Sequence, residues 1–73
     1  MKERKTMVDR EALAKELFEW RVRCGYTQRE VASMFGVSRY TIMRAEGNEY
    51  LSLPTAYLVL SKLTQEIRKE GGQ

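Results

Sequence analysis

Five arginines crowd the middle of the chain. Within residues 20–44 the acidic and basic side chains are Arg21, Arg23, Arg29, Arg39 and Arg44 against Glu30 alone. That window carries +4 (five minus one), so with a net charge of +3 the remaining residues sum to −1. A guanidinium is flat, permanently charged and forked, and its paired N–H donors match phosphate oxygens and the O6/N7 edge of guanine. The chemistry open to this window is recognition of a polyanion.

Catalytic chemistry has little to work with. The chain has no histidine and one cysteine, Cys24. That removes imidazole-assisted nucleophiles and leaves no plausible zinc site or intrachain disulfide. The paired acids Glu16 and Glu19 have no neighbouring motif and read as solvated. No enzyme activity, cofactor or small-molecule ligand is expected. Met1 to Lys5 is charged with no apolar run behind it, so no signal peptide is expected. No stretch approaches the roughly 20 apolar residues of a membrane span. Together with a lone cysteine, which suits a reducing compartment, these features predict a cytoplasmic protein.

The elements that must hold the arginines follow from periodicity. At 73 residues, 42% hydrophobic and 32% charged, the chain reads as one small globular domain. A domain of this size buries only about 60% of its unfolded surface, so self-association is the remaining source of added stability. Leu13, Leu17, Trp20 and Cys24 recur at four, three and four, which predicts a first helix over 9–24 capped by Asp9 and stopped by Gly25. Thr6 is an alternative start. Thr27-Gln28-Arg29-Glu30 is a capping box, followed by the apolar Val31, Ala32 and Phe35 and closed by Gly36. Ser38 caps a third helix with Ile42 and Ala45 inward, and Gly47-Asn48 ends it. Ser52-Leu53-Pro54 opens a fourth helix to about residue 69, with Ala56, Leu60, Leu63 and Ile67 as its inward stripe. Strand signals are missing, so the fold class is all-α. Residues 1–8 are predicted as a flexible basic tail, 9–70 as the domain and 71–73 as a frayed end.

Two short helices joined by a tight turn at about 27–46 suggest a helix-turn-helix. Ala32 is small where the helices cross, and Gly36 supplies a left-handed turn residue. Val37 and Ile42 fill the space beneath. The third helix is then a rod suited to a major groove about 12 Å wide. Thr27-Gln28, Val31-Ala32, Phe35-Gly36-Val37-Ser38, Thr41-Ile42 and Ala45-Glu46-Gly47 resemble the Cro/C1-type (XRE-like) helix-turn-helix of phage and bacterial repressors, over roughly residues 17–60.

The resemblance implies a compact four-helix bundle of the lambda-repressor-like type, binding a double-stranded DNA operator as a transcriptional regulator. It assigns Gln28 to phosphate or an outer base, and Ser38, Arg39, Tyr40 and Arg44 to bases and backbone. Met43 is set against a thymine methyl, Asn48 and Tyr50 clamp phosphate, and Arg29 adds a phosphate contact. Arg21 and Glu46 match a family pair that forms an internal salt bridge. Repression by promoter occlusion, and autoregulation, are expectations by analogy. Several of these residues also have plain structural readings: Met43 as helix packing, Tyr40 and Tyr50 as surface aromatics, Gln28 as a helix opener, Cys24 as a small core residue.

Many family members carry a fifth helix where this sequence predicts one long fourth helix. Its apolar arc is wider than one small core needs. Leu51, Tyr57, Leu58 and Val59 are therefore assigned to a homodimer interface, with an inverted-repeat operator as its counterpart. The competing reading is a protein-interaction module on the same fold, an antitoxin or adaptor.

Overall fold

The computed structural model describes residues 9–72. Over that span the chain is all helical: α1 (Arg10–Cys24), α2 (Gln28–Phe35), α3 (Arg39–Glu46) and α4 (Leu53–Gly72). The 1–8 tail, Thr6 and Gln73 lie outside the described residues. Among the described residues, no helix is long and apolar enough to cross a membrane.

Local chemistry accounts for the starts of α1, α2 and α3. Asp9 accepts the Ala12 N–H at 3.1 Å. The Thr27 hydroxyl accepts from Glu30 N–H at 3.0 Å while the Glu30 carboxylate accepts from Thr27 N–H at 2.8 Å, so the capping box is closed both ways. Ser38 Oγ accepts from Thr41 N–H at 3.2 Å. One orphan amide at each of these three starts thereby gains a side-chain partner.

The first three helices end by one device. Gly25, Gly36 and Asn48 hold the left-handed conformation, at φ 77°, 73° and 56°. At each end the next residue's N–H returns to a carbonyl of the last turn: Tyr26 to Arg21 (3.0 Å), Val37 to Ala32 (3.0 Å), Glu49 to Arg44 (2.9 Å). This is the Schellman closure. At the end of α3 it is Asn48 that turns left-handed; Gly47 stays at φ −84°.

The core draws on all four helices. Leu13, Leu17 and Trp20 of α1 meet Val31, Ala32 and Phe35 of α2, Ile42 and Ala45 of α3, and Ala56, Val59 and Leu63 of α4. The Trp20 ring lies 5.9 Å from Phe35 and 5.5 Å from Tyr26, centroid to centroid. Among the described residues none that is polar or charged is buried. Removal of apolar surface from water is therefore the term that holds the interior together.

Helix α4 departs from expectation in two ways. Its inward stripe is Ala56, Val59 and Leu63, with Leu60 partly buried and Ile67 36% exposed. At 3.6 residues per turn this is a rotation of roughly 40° from the expected stripe. Ala56, Val59, Leu60 and Leu63 are all apolar, so periodicity alone fits both orientations. Val59 (0% exposed) and Leu51 (6%) are thus core residues, and their assignment to a dimer interface is corrected. Tyr57 and Leu58 do face outward. The helix also continues to Gly72, past the expected end near residue 69. Its last turn is tied to α1: Glu70 accepts from Arg23 Nη2 at 2.7 Å and from the Cys24 thiol at 3.0 Å.

Candidate nucleic-acid interface

Helix α3 divides its side chains by face. Ile42 and Ala45 are buried, whereas Arg39, Tyr40, Met43 and Arg44 are exposed, Tyr40 at 67%. Arg39 folds along the helix, with Nη1 3.6 Å from the sulfur of Met43 one turn later. Ser38 is exposed, but its hydroxyl is occupied by the cap and stands 3.1 Å from Thr41 Oγ1.

Two open grooves border this face, one at the start of α3 and one along its side. One, of about 600 Å³, is lined by Arg21, Tyr26, Thr27, Gln28, Arg29 and Arg39. The other, of about 350 Å³, is lined by Tyr40, Thr41, Arg44, Tyr50, Leu51, Ser52 and Thr55. Each groove combines arginine with tyrosine and hydroxyl or amide donors, the side-chain inventory that meets phosphate oxygens. Asn48 and Tyr50 are exposed in the segment after α3.

Beneath the first groove sits a polar node. Arg21 Nε and Nη2 donate to the two Glu46 oxygens at 2.5 and 3.0 Å, and Nη1 donates to the Tyr26 carbonyl at 3.0 Å. Gln28 Nε2 adds a third bond to Glu46 at 3.1 Å. The hydrogen bonds Arg21 donates to Glu46 hold its proton more tightly than usual, against burial, and the carboxylate's charge adds to this. The node joins α1, the α1–α2 turn, the start of α2 and the end of α3. Arg21's charge is neutralised there, which leaves Arg29, Arg39 and Arg44 as the exposed cations of this face. Gln28 lines the groove, but its amide nitrogen is turned to Glu46.

Two contacts had no signal in the sequence. Arg10 donates from Nη2 to the Leu51 carbonyl at 2.8 Å, and its guanidinium stands 6.0 Å over the Tyr50 ring. Cys24, predicted as a small core residue, packs at the core's edge and also donates its thiol to Glu70. That bond, partial burial and the carboxylate's charge push the thiol's pKa up. The Cys24 and Arg23 bonds hold Glu70 below the usual carboxylate range. Both partners' sequence separations exceed 40 residues, beyond the reach of any local pattern.

No family profile, curated protein or solved structure matches the chain.

Proposed function

We propose that this protein is a sequence-specific double-stranded DNA-binding transcriptional regulator of the Cro/C1 kind, acting as a small dimeric repressor. The observation that carries the reading is α3 itself, an eight-residue helix with Arg39, Tyr40, Met43 and Arg44 outward, bordered by one arginine-bearing groove at its start and another along its side. A rod of this kind enters a major groove while its flanks meet the two bordering phosphate strands. Arg39 and Arg44 fork onto guanine or phosphate. Tyr40 and Met43 offer apolar surface to thymine methyls.

Dimerisation through α4 belongs to the same proposal, on a corrected surface. Leu53, Tyr57, Leu60 and Ile67 recur at four, three and seven along one flank of the helix, and all retain solvent exposure. A second copy packed there by two-fold symmetry calls for recognition helices about 34 Å apart and an inverted-repeat operator.

One observation favours the interaction-module alternative. Phe18 and Val22, one turn apart on α1, are 49% and 55% exposed. Selection from a random-sequence duplex pool separates the readings. Enrichment of a motif, with affinity falling linearly in log–log salt at about 0.9 per phosphate neutralised, supports the regulator. Absence of any enriched motif leaves the interaction module.

A further inference from the structure

Arg10, in the first turn of α1, reaches across the domain to the segment joining α3 and α4. Its Nη2 donates to the Leu51 carbonyl at 2.8 Å, and its guanidinium carbon lies 6.0 Å from the centre of the Tyr50 ring. Its Nε is buried without a hydrogen-bond partner. One side chain therefore grips two consecutive residues, the backbone of a core leucine and the ring of a tyrosine that is 74% exposed. Tyr50 forms the rim of the groove beside α3 that also holds Tyr40, Arg44, Ser52 and Thr55.

An arginine chosen only to hold the fold would be poorly suited to this place. A buried N–H left unpaired opposes stability, and an aliphatic side chain would fill the space without it. The guanidinium adds direction: a donor for one carbonyl and a flat cation beneath a ring otherwise surrounded by water. We propose that Arg10 is a positioning residue for DNA binding, holding the Tyr50 ring as the outer wall of this groove so that a backbone phosphate is met from both sides. The proposal rests on the DNA-binding reading above.

The test compares Arg10→Met, Arg10→Lys, Tyr50→Ala and the double variant Arg10→Met/Tyr50→Ala, on a duplex selected from random sequence by the unmodified protein. Arg10→Met is expected to keep its unfolding midpoint and to speed amide exchange in residues 49–52 while core amides are unchanged. Its affinity should fall about tenfold, the equivalent of 1.4 kcal/mol, and Arg10→Lys should recover part of that. In the Tyr50→Ala background the Arg10 substitution should have no further effect. Unchanged affinity of Arg10→Met, or losses that simply add, would overturn the role of Arg10 and leave the DNA-binding reading standing. Failure of the unmodified protein to enrich any duplex would overturn both. Should Arg10→Met not fold, the same cycle with Arg10→Lys decides by the same criterion.

Discussion

Arg21 and Glu46, 25 residues apart, meet through two hydrogen bonds at 2.5 and 3.0 Å, with 16% and 6% of their side chains accessible. The pair fixes the end of α3 against α1, and Gln28 brings in the start of α2. The pitch of the presented helix is thus set by a charge pair outside its own exposed face.

Removing one partner strands the other at the edge of the core. Glu46→Ala or Arg21→Met should destabilise by about 3 kcal/mol, the low end for a broken buried pair because some water reaches this one. The double replacement Arg21→Met/Glu46→Ala should be destabilised by less than the sum of the two single variants. Urea unfolding of the three variants checks this, and an additive double variant would reject the coupling.

Asn48 holds a left-handed backbone at φ 56°. Asn48→Gly removes that strain and should match or exceed the original stability, whereas Asn48→Ala should lose about 1 kcal/mol. If the Asn48 amide also clamps phosphate, Asn48→Gly weakens duplex binding while the fold holds. Thermal unfolding and duplex titration of the same variant separate the two duties.

Arg39 and Arg44 are exposed and make no described bond to the fold beyond the Arg39–Met43 contact. Arg39→Ala and Arg44→Ala should leave the unfolding midpoint in place and each lower specific affinity by about 1–3 kcal/mol. Arg29→Ala should weaken all sequences alike and reduce the salt slope by about 0.9. Equal losses on selected and scrambled duplex for all three would assign the whole face to phosphate.

The clasp of Arg23, Cys24 and Glu70 gives a pH dependence with a definite sign. Glu70's carboxyl is held below its usual range, so its share of stability is present above the ordinary carboxylate pKa and lost as pH falls through the lowered one. The Cys24 thiol is pushed up, so its share is present below the ordinary thiol pKa and lost as pH rises through the raised one. Amide protection in the last turn of α4, taken relative to the intrinsic exchange rate at each pH, should be greatest at intermediate pH and fall on both sides. Glu70→Gln should flatten the acid limb, and a profile identical to the unmodified protein's would remove Glu70 from the account.

Local chemistry was the legible part of this fold. Asp9, Thr27, Glu30 and Ser38 lie within three residues of the amides they cap, and Gly25 and Gly36 stand where a left-handed residue must. The inward residues of α1, α2 and α3 follow from helical spacing for the same reason. Val59 was misread because Leu60 and Ile67 offer an equally apolar stripe, and only the packing of the other helices selects between them; Leu51, in the segment before α4, is buried by tertiary packing that no helical spacing reports. Arg10 and Glu70 were invisible because each acts on residues more than 40 positions away. Of the candidate site, the arginine window was plain from composition. That Gln28 spends its amide on Glu46, 18 residues away, emerged only from the assembled helices.

Ile42 and Ala45 anchor α3, and Glu46 locks its end, while Arg39, Tyr40, Met43 and Arg44 lie outside the core. Selection can therefore rewrite those outward positions nearly independently of foldability. On the DNA-binding proposal, duplicated copies of such a gene would diverge in target before they diverged in architecture. If the proposed DNA-binding role holds, the frame is a holder whose reading face can be exchanged without rebuilding the core.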